Sequence, residues 1–188
     1  MGFNNRELEV KLLVDGQVSL TEISSLLKNM LEYKKIIHET SKDEYWKPAS
    51  VSKADFIRLR HYSNGRAQLT VKYTDKGDNF DRVEQDLDVE DPKQMALMLN
   101  SILGKRHGEI VKEYVVFVMD AHDTTISVYQ IKRDRRVFIE VEARTKKKVQ
   151  YLVSQVQKII PEFSLIREKK SLYELFLKNK RPNSKIFD

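Results

Sequence analysis

The stretch "RELEVKL" (6–12) alternates charged and aliphatic residues one for one. In a strand, side chains at i, i+2 and i+4 share a face. Glu7, Glu9 and Lys11 therefore stand side by side, with Leu8, Val10 and Leu12 behind them. Such a row faces either water or a ligand that needs both signs of charge at close range. The construction recurs along the chain. Arg58 and Arg60 are in phase with Phe56, against Ile57 and Leu59; Lys72 is in phase with Gln68 and Thr70, against Leu69 and Val71. Arg82, Glu84, Asp86 and Asp88 line up against Val83, Leu87 and Val89, with Gln85 interrupting the apolar row. Lys112 is in phase with Tyr114, and Glu140 with Glu142, the latter pair against Ile139, Val141 and Ala143. A single half-buried strand ordinarily turns such a face to solvent. A whole set falling into ExE, RxR and RxExD clusters differs from the loose mixture of Thr, Ser, Lys, Gln and Glu that a solvated face carries.

These rows need strands to hold them. Alternation predicts strands at 6–12, 43–46, 54–62, 66–73, 82–89, 108–118, 124–131 and 136–144. "SNGR" (63–66) reads as a hairpin turn, and "TDKGDN" (74–79) and "DAHDT" (120–124) as further turns. Helical spacing predicts helices within 19–35, with Ser19 or Thr21 as cap, within 90–106, opened by Pro92 and closed by Gly104, within 146–162, stopped by Pro161, and within 169–180. "KKK" at 146–148 reads as the solvated start of a helix, and Trp46 as rim packing or a stacking surface for a ligand's organic group. The layout is α+β, an antiparallel meander with amphipathic helices.

A chain of 188 residues is most simply one domain, here 1–178, followed by a basic tail, 179–188, expected to be mobile. There are no cysteines, which removes thiol nucleophiles and Cys-based zinc sites. His38, His61, His107 and His122 show no metal-site spacing, so any metal would be a hard cation on carboxylates, Mg²⁺ or Mn²⁺. The formal net charge of +6 suits an anionic partner. The longest apolar run, "VVFVM" (115–119), is too short to span a bilayer, and the N-terminus lacks a signal-peptide core, so a cytoplasmic protein with no membrane partner is expected.

The economical arrangement curls the strands into an eight-stranded antiparallel β-barrel, with the aliphatic face outward under the helices and the charged face in the lumen. Uncompensated charge in so small a space costs several kcal/mol per ion. A polyanion with a divalent metal would use all of it, cations on the phosphate oxygens and carboxylates on the metal.

The residues then resemble a known pattern. "ELEVK" (7–11) is similar to the ExExK signature of the CYTH superfamily, the triphosphate tunnel metalloenzymes. "FIRLR" (56–60) resembles that family's LRxR strand, "LTVK" (69–72) its TxK strand and "RVEQD" (82–86) its RxExE strand. "IVKEY" (110–114) resembles its basic strand, "FIEVE" (138–142) its ExE strand and "KKSLYELF" (169–176) its closing helix. ExExK alone is a weak pattern; seven segments in the right order are a strong one. The resemblance implies a tunnel that binds triphosphate with Mg²⁺ or Mn²⁺. It places metal ligands at Glu7, Glu9, Glu140 and Glu142, with Glu84 and Asp86 binding metal or holding cations. It places phosphate-binding cations at Lys11, Arg58, Arg60, Lys72, Arg82, Lys112 and Lys170, with Lys170, Ser171 and Tyr173 closing one mouth. Tyr114 stands where the pattern usually carries a second cation, and Tyr129 near where it carries an Asp.

Two reactions fit such a site. One is hydrolysis of the terminal phosphate of tripolyphosphate or of an organic or nucleoside triphosphate, ATP among them, with Lys11 and Glu9 as the catalytic pair. The other is cyclisation of ATP to cyclic AMP and pyrophosphate, as in class IV adenylate cyclases. Hydrolysis is the broader description and is preferred. A third reading, a basic barrel that binds nucleic acid or polyphosphate through its net charge and Phe56, Tyr62 and Tyr73, is weaker, because the same faces carry carboxylates. Nucleic acid is disfavoured as a partner unless as an RNA 5′-triphosphate end.

Overall fold

Strict alternation decides which side of each strand is apolar, and in the computed structural model it decides where the helices lie. The structure describes residues 6–48, 54–74, 81–119, 124–132 and 134–177, with backbone only for 6, 7, 74 and 81–83. The tail (179–188) and most of the turns at 74–79 and 120–124 fall outside the described residues. In chain order the elements are β1 (Arg6–Val14), α1 (Leu20–Met30), β2 (Lys35–Trp46), β3 (Phe56–Tyr62), β4 (Ala67–Thr74) and β5 (Asp81–Asp88). They continue with α2 (Pro92–Leu103), β6 (Gly108–Val118), β7 (Thr125–Ile131), β8 (Val137–Ala143), α3 (Lys146–Ile159), β9 (Leu165–Glu168) and α4 (Leu172–Phe176).

Among the described residues the strands form one nine-stranded antiparallel sheet, in the order β5-β4-β3-β2-β6-β7-β8-β1-β9. The fold is α+β. β1 is where the two ends of that order meet. One edge of β1 pairs with β8 from Leu8↔Ala143 to Val14↔Val137. On the other edge, Lys11–Val14 pair with β9 and Arg6–Leu8 pair with β5.

Two differences from the sequence reading have local causes. β2 begins at Lys35, not at 43, and the first helix ends at Met30, short of 35. "HETSK" (38–42) carries no apolar alternation because β2 runs between β3 and β6 with polar residues on both faces. Tyr33 anchors the switch from helix to strand, its ring edge-on to Phe117 at 5.6 Å. The ninth strand, β9, is only four residues long, too short for alternation to show. Helix starts follow the capping residues: Ser19, Asp91, Thr145 and Ser171 each accept a backbone N–H of the first turn. Lys146 and Lys147 are exposed at the start of α3, as expected of a solvated helix end.

The convex face of the sheet is covered in two places. α1 and α3 bury Ile23, Leu27, Val149, Leu152 and Val156 against Val10, Leu12, Phe117, Val128, Ile139 and Val141. Full burial of each such side chain contributes about 1.5–3 kcal/mol. α2 lays Leu99 on Leu59 and Trp46, whose indole Nε1 donates to Asn100 Oδ1 at 3.0 Å. Trp46 is thus core beneath α2 on the outer face, and it neither packs a rim nor stacks on a ligand. A third cluster joins Tyr45, Phe56, Tyr129 and Phe138 to Leu172, Tyr173 and Leu177. Leu177 is locked there: an added Cβ on Gly108 would come within 2.6 Å of its Cδ2, and His107 Nε2 lies 2.8 Å from its carbonyl oxygen. No described helix is long and apolar enough to cross a membrane.

Candidate functional site

With the aliphatic residues committed to the helices, the charged rows converge on the concave side around a cavity of about 300 Å³. β1–β8 all contribute lining, and six of these strands bring the following charged residues: β1 gives Glu9 and Lys11, β3 Arg58 and Arg60, β4 Lys72, β5 Glu84 and Asp86, β6 Lys112, and β8 Glu140 and Glu142. Of the residues picked out from sequence, these ten therefore meet in one space. Glu7 and Arg82 are Cα partners across β1 and β5, but their side chains lie outside the described residues. Lys170 does not join the group. Its side chain is exposed, and its backbone carbonyl, not its ammonium, meets the site by accepting from Lys11 Nζ at 3.3 Å. Ser171 lines the cavity and caps α4, while Tyr173 packs below it on Tyr45 and Phe56.

The ion pairs follow strand register. Lys11 stands opposite Glu140, with its Nζ 3.1 Å from Glu140 Oε1 and 3.6 Å from Glu9 Oε1. Lys72 Nζ lies 3.1 Å from Glu9 Oε2 and also pairs with Glu84. Glu84's carboxyl is pushed up by burial, but Lys72 and Arg58 outweigh that and hold it below the usual range. Arg58 Nη2 donates to Thr70 Oγ1 at 2.9 Å, which in turn donates to Asp86 Oδ1 at 2.6 Å. Arg58 Nε is buried with no hydrogen-bond partner, as is Ser41 Oγ on the inward face of β2. A buried guanidinium N–H without an acceptor is costly and invites an anionic oxygen. Glu9 and Glu142 are directly opposite one another across β1 and β8, a like-charge cross-strand pair. Thr125 Oγ1 donates to Glu142 Oε2 at 3.1 Å.

The sequence reading missed Asp43. It is fully buried and takes a bidentate contact from Arg60, Nε to Oδ1 at 2.7 Å and Nη2 to Oδ2 at 2.8 Å, with Lys112 Nζ 3.8 Å away. Burial raises its carboxyl, yet Arg60, Lys112 and Arg58 hold it far below the ordinary carboxylate range. The only signal available was phase: Asp43 shares a face with Tyr45 in the strand read at 43–46, and β2 extends that inward face back to Ser41. The two departures from the family pattern prove to be neighbours. Tyr114 and Tyr129 are register partners on β6 and β7, and Lys112 Nζ lies over both rings, 5.4 and 5.1 Å from their centroids. Tyr129 also donates to Glu140 Oε1 at 2.9 Å. Burial and the charge of Arg60 push the Lys112 ammonium down to about 8, although Asp43 and Glu140 favour its charged form.

Among the described residues, no three acidic or His side chains form a ready metal cage. The donor set nevertheless fits a hard cation. Carboxylate oxygens are its ligands, and Mg²⁺ commonly takes only one or two of them, completing its shell with phosphate and water. The Glu9–Glu142 pair offers that number.

No protein-family model and no curated protein matches the sequence. Solved structures do resemble the fold. The PH1819 protein from Pyrococcus horikoshii is 22% identical with a TM-score of 0.65, covering 93% of this chain and 99% of that one. The HpAC1 protein from Hippeastrum, a candidate adenylyl cyclase described as having a dominant triphosphatase activity, is 15% identical with a TM-score of 0.64, covering 90% and 94%. A candidate adenylate cyclase from Vibrio parahaemolyticus is 12% identical with a TM-score of 0.64, covering 92% and 98%. Strand order, charged concave face and these likenesses together show that this chain shares the fold of these proteins, the candidate adenylyl and adenylate cyclases among them.

Proposed function

We propose that this protein is a divalent-metal-dependent triphosphatase whose sheet works as an eight-stranded tunnel, with β9 outside it. The pairing of β1 with β5 supports the tunnel. One observation carries the activity: buried cations and carboxylates ring a single cavity, and they include an Arg58 Nε lacking an acceptor and a like-charge Glu9–Glu142 pair. An anionic oxygen would satisfy Arg58 Nε, and a cation would screen the Glu9–Glu142 repulsion that Lys72 and Lys11 already offset in part.

Arg58, Arg60, Lys72 and Lys112 hold the phosphate oxygens. The arginines suit bidentate contacts, and the lysines act as movable point charges. Glu9 and Glu142 would hold Mg²⁺ or Mn²⁺, whose charge would neutralise part of that on the phosphates. Lys11 lines the cavity, held by Glu9, Glu140 and the Lys170 carbonyl; its ammonium can donate to a phosphate oxygen, and its neutral amine, once its own proton has passed to solvent, can take the proton of the attacking water. The chain supplies position and charge, and no covalent intermediate is needed.

The test is a product assay. Protein incubated with tripolyphosphate or ATP and Mg²⁺ or Mn²⁺ should release orthophosphate and a diphosphate, and EDTA should stop it. Cyclic AMP with pyrophosphate as the main products would make it a cyclase instead. Binding that weakens with salt but ignores EDTA would mark a basic groove.

Lys112 adds a pH prediction. The free protein holds this lysine charged below about 8 and neutral above, and phosphate favours the charged form. KM for tripolyphosphate should therefore rise as pH climbs through 8, while Lys112→Met gives a higher KM that is flat from pH 7 to 9. The stability sign is opposite. Above about 8, up to the ordinary lysine value, only the unfolded chain keeps the proton, so the contribution of Lys112 to stability rises with pH. A wild-type KM flat across that range would remove Lys112 from the phosphate contacts.

A further inference from the structure

The two ends of the cavity are unlike. At one end Tyr45, Phe56 and Leu172 form a buried floor backed by Tyr173 and Leu177. At the other the lining is half-exposed and changes character: Ile37, Tyr62, Tyr114 and Val116 replace the dense charges of the middle. A triphosphate entering such a space can only go in with its free phosphate end first. Whatever is attached to the other end must stay at this mouth.

We infer that the mouth between Tyr62 and Tyr114 binds an uncharged, flat heteroaromatic group, so that the substrate is a nucleoside triphosphate in preference to inorganic tripolyphosphate. The inference rests on the triphosphate reading of the same cavity. Tyr62 stands at the end of β3 and is fixed there by its hydroxyl, which donates to Gln68 Oε1 at 3.1 Å. Two guanidinium carbons lie near its ring, that of Arg66 at 5.2 Å and that of Arg60 at 5.8 Å from the centroid. Guanidinium planes and aromatic rings both stack on nucleobases without regard to base identity. Across β2, Tyr114 supplies a second ring, with Lys112 over it. The cations already placed on both rings discriminate against a positively charged organic group such as a thiazolium. Glu39, which also lines the cavity, is turned to the hairpin, accepting from Ser63 Oγ at 3.1 Å and Asn64 Nδ2 at 3.4 Å. Inorganic tripolyphosphate would leave these apolar and aromatic surfaces uncovered.

The experiment compares ligands on the full chain. Isothermal titration in Mg²⁺ with β,γ-imidoadenosine triphosphate and with tripolyphosphate gives two dissociation constants. Steady-state kinetics with ATP, tripolyphosphate and thiamine triphosphate gives the matching kcat/KM values. The wild type should favour the adenosine compounds. Tyr62→Leu should weaken imido-ATP binding about tenfold and tripolyphosphate binding by less than twofold, while Tyr62→Phe keeps the wild-type ratio. Equal losses for both ligands, no loss for either, or a wild-type preference for tripolyphosphate or thiamine triphosphate would overturn the mouth assignment and leave a triphosphatase standing. Wild-type protein that neither binds nor turns over any of the three would overturn the triphosphate reading itself, and the inference with it.

Discussion

Glu142→Gln is expected to lower triphosphate turnover by more than about a hundredfold while the protein stays folded. The size follows from the role. Loss of a group that merely orients a metal ligand commonly costs 10- to 100-fold, and Glu142 is proposed to touch the metal directly. Glu9→Gln should behave alike, since the two carboxylates face each other across β1 and β8. The fold should survive because glutamine keeps the acceptor that Thr125 Oγ1 uses at 3.1 Å. The substitution also removes half of a like-charge pair. Turnover at saturating Mg²⁺ and thermal unfolding, measured on the same sample, check this. Unchanged kcat in Glu142→Gln would remove the carboxylate pair from the site. Equal activity in EDTA would remove the metal as well.

Most of the cavity could be read from the sequence because strand alternation is a local signal. Glu9, Arg58, Arg60, Lys72, Glu140 and Glu142 each sit in a short run whose other face is largely aliphatic, and the helices need that face. Asp43 escaped although it lies in the strand read at 43–46, because in so short a run its face continues with Tyr45 and shows no repeated row of charges. The placement of Lys170 is illegible for a related reason. It lies between β9 and α4, where no periodicity fixes which way a side chain points, and the chain there offers its carbonyl to Lys11. Tyr114 and Tyr129 looked like two unrelated departures from a pattern. Only the β6–β7 register shows that together they flank one lysine. Register is a property of strand pairs, and a single strand's sequence does not contain it.

Asp43→Ala should be the most destabilising of the cavity substitutions, by about 3–5 kcal/mol, because it leaves the Arg60 and Lys112 charges buried without their partner. In a chain of this size that lowers the melting temperature by roughly 6–20 °C. Both carboxylate oxygens of Asp43 are taken by Arg60, and Arg58 adds to the field that keeps the acid ionised. The sign with pH is fixed by that direction. A carboxyl depressed in the folded state stabilises at every pH above its unfolded value, and the contribution fades as pH falls below that value toward the folded one. In a Lys112→Met background, which removes the lysine that titrates near 8, the gap that Asp43→Ala opens in urea unfolding should thus be constant from pH 5 to 8 and shrink below about pH 4. Asp43→Asn, which keeps one acceptor but no charge, should fall between them. Tripolyphosphate gives the discriminating arm. If the cavity cations are there to hold phosphate, a polyanion can replace the missing carboxylate, and saturating ligand should raise the melting temperature of Asp43→Ala by clearly more than it raises the wild type. Equal ligand-induced shifts would mean that Asp43 and Arg60 form a structural pair apart from the phosphate contacts, and an Asp43→Ala protein as stable as wild type at pH 7 would mean that the pair is not buried in solution at all.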